Sequence, residues 1–93
     1  MRKPSAIRRL TKRSNIIADR LRLARRLHEP PLTLQATSEL VTAKTGYTIT
    51  KTMLIRIEGN QRSVYDYEVL ALAEALNVDV RFLLGQTEDP ATF

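Results

Sequence analysis

Ninety-three residues, 43% apolar and 27% charged, with no cysteine, describe one small domain that must spend nearly all of its chain on a single core. At this length only about 60 to 65% of the unfolded surface can be buried, which leaves little room for an elaborate catalytic pocket. The lack of cysteine excludes a disulfide framework and thiolate-held zinc, and no apolar run approaches the roughly 18 residues of a membrane span. The formal net charge of +5 is unevenly placed, at +9 over residues 1–26, +1 over 27–62 and −5 over 63–93. One end therefore suits a polyanion, nucleic acid or membrane surface, and the other repels it; solvated helix faces are the plain alternative.

Residues 1–13 carry Arg2, Lys3, Arg8, Arg9, Lys12 and Arg13 with few apolar anchors, and read as a basic arm, disordered or partly helical until it meets a partner. An arginine-rich targeting leader is the other reading, against which no cleavage-type spacer follows. Ile7 and Leu10 alone are too little for firm membrane insertion. From Ser14 as N-cap, Ile17, Leu21, Ala24 and Leu27 recur at helical spacing, with Asp19 early and Arg25 and Arg26 late, as the helix dipole prefers. Pro30 and Pro31 stop this first helix. Thr33 caps a second, to about Thr45, with Gly46 as a left-handed stop; its threonines and the run TGYTIT equally support a short strand.

Thr50 caps a third helix, Lys51 to Glu58, ended by Gly59 and Asn60. Ser63 opens a capping box with Asp66, and Val69, Leu72, Ala73 and Leu76 form the core face of a fourth helix that stops near Asn77. Asp79 caps a last turn whose Phe82 and Leu83 close the core before the tail 86–93. The expectation is an all-α domain over residues 14–85, a compact bundle of five short helices with a basic arm before it.

The third helix has two faces. Met53, Leu54 and Ile57 fall on one side; Lys51, Thr52, Ile55 and Arg56 cluster on the other. A cation, a hydroxyl, a branched apolar group and a guanidinium on one displayed flank are the donors and methyl contacts that read base edges in a major groove, though an ordinary amphipathic surface helix looks the same. Candidates for catalysis are few. His28, the sole histidine, reads as a helix-end dipole partner or plain surface, and Asp66, Glu68 and Glu74 as capping and solvated residues. Each glycine follows a predicted helix, so no phosphate-cradling loop is present. No enzyme activity, cofactor or metal is expected.

The stretches LRLARR, PLTLQ, ITKTMLIRIEGNQR and YEVLALAEALNVDVRFLLG, over roughly residues 16–85, resemble the lambda-repressor-like, Cro/cI-type (XRE) helix-turn-helix family. The resemblance implies that the third helix enters the major groove, usually as a symmetric homodimer on a palindromic operator in double-stranded DNA. It assigns base contacts to Lys51, Thr52, Ile55 and Arg56, and phosphate contacts to Thr33, Thr50, Asn60, Gln61 and Arg62. It also matches Glu58 to an acidic position that pairs with a helix-one arginine, here Arg25, with Arg26 as the neighbour able to substitute. Relatives often pair through the fifth helix and tail, which makes Phe82 or Phe93 the expected dimer anchor.

Two departures stand out. An additional residue or so surrounds Pro30 and Pro31, and Ser38 to Ile49 is about three residues longer than the family's second helix and turn. The extra length either extends the helix or carries Tyr47 outward; Tyr47 itself reads as a packed or half-exposed ring rather than a DNA contact. The expected function is a cytoplasmic, nucleoid-associated transcriptional regulator, a repressor by operator occupancy, with no membrane partner. The alternatives are a protein-interaction module such as an antitoxin or adaptor, with the acidic half as the working surface and a protein partner, and a structured-RNA binder served by the same arm.

Overall fold

The computed structural model describes Ile7 and residues 9–91. It contains α1 (Ala18–Arg26), α2 (Leu34–Thr45), α3 (Lys51–Glu58), α4 (Asp66–Leu76) and α5 (Val80–Leu83), and no strand among the described residues. The helices close on one core. Leu21 and Ala24 of α1, Val41 of α2, Leu54 and Ile57 of α3, Leu72 and Leu76 of α4 and Leu83 of α5 are all buried in it, together with Ile49 from the α2–α3 connection. α4 packs most heavily on α2 and also meets α1 and α5, while α1 bridges α3, α4 and α5. Before α1, a helical turn is closed by Thr11 N–H donating to the Ile7 carbonyl at 3.0 Å.

The helix boundaries follow side chains that satisfy the first backbone N–H groups. Thr33 accepts from the Ala36 N–H, Thr50 from Met53 and Asp79 from Arg81, which fixes the starts of α2, α3 and α5. Two expected starts are displaced. Ser14 is exposed and caps nothing; the neighbouring Asn15 Oδ1 accepts from the Ile17 N–H at 3.0 Å, and α1 begins only at Ala18. Ser63 does not cap α4 either, because Tyr65 is its N-cap and the Glu68 carboxylate reaches back to the Tyr65 N–H at 3.0 Å. At the other end of α3, Gly59 keeps φ at −82°, and the left-handed residue is Asn60 at φ 57°. Gly59 serves by lacking a side chain, since a Cβ there would sit 3.2 Å from the Ile55 carbonyl oxygen.

The strand alternative for the second segment gives way to helix, with Gly46 left-handed at φ 75° as its stop. The helix runs to Thr45, and Tyr47 then turns toward α4, half-buried, its hydroxyl donating to Glu68 Oε2 at 2.9 Å. Leu27 departs from the expected core stripe: α1 ends before it and half of it is exposed. Residues 87–90 are held against the core, with Arg20 donating to the Thr87 carbonyl and to Glu88, and the Asp79 N–H donating to the Pro90 carbonyl. No helix of the described residues is long and apolar enough to cross a membrane.

Candidate nucleic-acid interface

α3 separates its residues by the helical period. Leu54 and Ile57 are fully buried and Met53 is half-buried, whereas Lys51, Thr52, Ile55 and Arg56 are all exposed. Ile55 keeps 47% of its surface accessible, a large apolar group held in solvent between two cations. Lys51 and Arg56 enter no ion pair among the described residues, so both charges are available to a ligand. Thr33 and Thr50, at the starts of α2 and α3, are exposed as well.

The opposite end of α3 is anchored by charge. Glu58 is buried, and Arg25 meets its carboxylate at two points, Nε to Oε2 at 2.6 Å and Nη2 to Oε1 at 2.8 Å. The same guanidinium donates to the Leu32 carbonyl at 2.7 Å, tying the α1–α2 connection into the pair. Hydrogen bonding to Glu58 raises the Arg25 pKa above its ordinary value. The second arginine at Glu58 is Arg22, not Arg26: it lies three residues before Arg25 on the same flank of α1 and reaches Oε1 at 3.3 Å, while Arg26 is turned away and exposed.

The connection after α3 is more committed than a flexible phosphate clamp. Gln61 is exposed, but Asn60 is half-buried with its Oδ1 accepting from the Asn15 N–H at 3.0 Å. Arg62 is not a free cation. It donates to Glu68 through Nη1 at 3.0 Å and Nη2 at 3.1 Å, so the guanidinium expected at a phosphate is engaged inside the fold, and Glu68, expected as a capping and solvated acid, does cap α4 but with its side chain 0% exposed. Burial pushes the Glu68 carboxyl up, but the hydrogen bonds from Arg62, the Tyr65 N–H and the Tyr47 hydroxyl together outweigh it and hold the group below its ordinary value. The hydrogen bond to the same carboxylate, and after it burial, push the Tyr47 hydroxyl up to about 12.

Of the basic arm, Arg9, Lys12 and Arg13 are exposed, while Arg2, Lys3 and Arg8 lie outside the described residues. The arm is rooted by a residue that composition and periodicity do not single out. Asn15 is 9% exposed, and its side-chain amide donates to the Ile57 and Arg62 carbonyls, both at 3.0 Å. Those bonds fasten the residue that follows the arm to the last turn of α3 and the connection after it. Asn15→Ala strands the two carbonyls and is expected to cost on the order of 2 kcal/mol, read as a lower denaturation midpoint with unchanged m-value.

His28 belongs to packing. Its Nε2 lies 2.9 Å from the Leu76 carbonyl, joining the end of α1 to the end of α4, so it neither caps its own helix nor stands free on the surface. It borders a shallow cleft of about 280 Å³ with Leu27, Val78 and Pro90. Among the described residues no group of three or more His, Asp or Glu gathers to hold a metal ion. Comparison with known proteins finds no matching family model, no matching curated protein and no matching solved structure.

Proposed function

We propose that this chain is a sequence-specific duplex-DNA-binding transcriptional regulator, a repressor by operator occupancy, with α3 as the element that enters the major groove in a lambda-repressor-like helix-turn-helix. The observation that carries this reading is the division of α3: its apolar side is swallowed by the core while Lys51, Thr52, Ile55 and Arg56 stand in solvent with both cations unpaired. A guanidinium and an ammonium supply donors for guanine O6 and N7, and Ile55 a methyl surface for thymine. Support also comes from the exposed starts of α2 and α3 at Thr33 and Thr50, where a helix N-terminus favours phosphate, and from the root of the arm, fastened beside α3 at Asn15.

The test is selection of bound fragments from random duplex DNA, followed by salt-titrated binding to the recovered site. Arg56→Ala and Lys51→Ala are each expected to cost about 1 to 3 kcal/mol at the selected site, roughly a 5- to 150-fold loss, and much less on random duplex. Neither side chain supports the core, so thermal unfolding should not move. Unchanged site preference in a folded Arg56→Ala variant overturns α3 as the reader.

A second reading, a protein-interaction module such as an antitoxin or adaptor, is favoured by one observation. Tyr65, Tyr67 and Leu70 on the acidic half are each more than half exposed. No affinity for duplex DNA at low salt would select it.

A further inference from the structure

The outer face of α4 is a surface with aromatic, apolar and acidic parts and no cover among the described residues. Tyr65, Tyr67 and Leu70 are 60%, 53% and 58% exposed, more than any other large hydrophobic residue described. Tyr65 and Tyr67 are stacked, with ring centroids 5.3 Å apart, and Tyr47 closes edge-on against Tyr67 at 5.5 Å, so the rings form a pre-organised platform. Asp66, Leu70 and Glu74 follow one another at four-residue spacing along the same arc of the helix. Both acids are exposed and, like Asp89, form no ion pair among the described residues, whereas Glu68, Asp79 and Glu88 on the same half are paired. An exposed ring platform beside two unpaired carboxylates fits a partner with cations and short apolar side chains, since ring faces and carboxylates both attract guanidinium and ammonium groups.

The chain itself carries such a segment. Arg9, Lys12 and Arg13 are exposed, Ile7 is 45% exposed, and Leu10 is half-buried in the helical turn before α1. We propose that the basic arm of a second copy docks on the Tyr65, Tyr67 and Leu70 face, with its cations against Asp66 and Glu74, and that the two copies exchange arms reciprocally. Adjacency within one chain favours the closed exchange. Asn15, at the root of the arm, donates to the Arg62 carbonyl, and three residues from Arg62 to Tyr65 span at most about 11 Å. Root and platform therefore share one end of the molecule, so a two-fold axis at that end brings each arm to the other copy's face, as an isologous contact requires. Of the earlier candidates, Phe82 is 2% exposed and filled into its own core, which suits it poorly to a dimer contact; Phe93 lies outside the described residues. If the DNA reading holds, duplex and second copy compete for the same cations, and binding of one weakens the other by the same factor.

The three tyrosines all lie in this cluster and the chain has no tryptophan, so intrinsic emission reports on this face alone. Sedimentation of the full chain at low salt should show a concentration-dependent rise from 10.6 kDa toward twice that mass, with a change in tyrosine emission. Salt near 0.5 M should weaken the association on the order of tenfold. Deletion of residues 2–13 and the double substitution Leu70→Ser with Glu74→Lys should each give a folded monomer whose thermal midpoint, unlike that of the full chain, does not depend on concentration. A mixture of the two variants should associate again, because one still has the face and the other the arm. A monomer at all salts overturns the proposal, as does a dimer that survives either change. So does a monomer whose tyrosine emission still depends on the arm, because the arm would then be covering its own chain's face. Failure of the DNA reading appears separately, as absent duplex binding with self-association intact.

Discussion

Arg62→Ala is expected to destabilise the fold by about 3 to 5 kcal/mol, the cost of leaving one partner of a buried ion pair alone. The Glu68 side chain has no solvent access and depends on four donors: both Arg62 terminal nitrogens at 3.0 and 3.1 Å, the Tyr65 N–H at 3.0 Å and the Tyr47 hydroxyl at 2.9 Å. Only the first two bring a compensating charge. Removing them leaves a carboxylate in the core with neutral donors alone, against a total stability of only about 5 to 15 kcal/mol. At this chain length each kcal/mol is worth roughly 4 to 8 °C in Tm, so the thermal midpoint should fall by on the order of 15 °C or more. Loss of DNA binding by this variant therefore reports unfolding and not a missing phosphate contact.

The size of the pH dependence separates a buried pair from a surface one, since an exposed pair shifts stability in the same direction but by far less. The Glu68 pKa is depressed in the folded chain, so its contribution is full above the unfolded carboxyl value, near 4.3, and is lost as pH falls below that through the folded value. The gap between wild type and Arg62→Ala should then be widest at neutral pH and shrink in acid, where protonation of Glu68 removes the charge that Arg62 balances. Replacing both partners by methionine should cost less than Arg62→Ala alone. Equal midpoints for wild type and Arg62→Ala would mean that the pair does not support the fold, and would leave Arg62 free for the phosphate contact that the family resemblance implies.

What was legible in the sequence was local. Thr33, Thr50 and Asp79 cap helices because each oxygen meets an N–H two or three residues on, a relation the chain carries in its own order. The two faces of α3 follow equally from its period, with Leu54 and Ile57 inward and Lys51, Thr52, Ile55 and Arg56 outward. Relations across the fold were not legible in this way. Asn15 finds its carbonyl partners 42 and 47 residues away, and an asparagine after a serine looks like one more capping candidate. Glu68 sits among acids that satisfy helix-start preferences, and nothing in its neighbourhood of the sequence announces that the Tyr47 hydroxyl, 21 residues earlier in the chain, turns in to donate to it. The pairing of Glu58 with Arg25 came from family resemblance, and only the packing of α1 against α3 shows that Arg22 is the neighbour that joins it.

Deleting residues 2–13 is expected to change binding to DNA by more than any single substitution in α3, and to change it unequally across salt. The segment removes Arg2, Lys3, Arg8, Arg9, Lys12 and Arg13, six cations and no acid. Each phosphate neutralised on duplex DNA releases counterions and contributes about 0.9 to the slope of log affinity against log salt, so full engagement of the arm accounts for a slope of about 5. Between 50 and 200 mM salt that amounts to about a thousandfold in affinity, and the shortened chain should lack this part of the decline. On the proposed reading, site preference should survive, because backbone charge contacts position a protein on duplex DNA while base-edge contacts, assigned there to the displayed flank of α3, specify sequence. Asn15 is retained, so its bonds to the Ile57 and Arg62 carbonyls persist and the fold gives no reason for the midpoint of unfolding to move. A salt slope unchanged by the deletion would mean that the arm touches no phosphate.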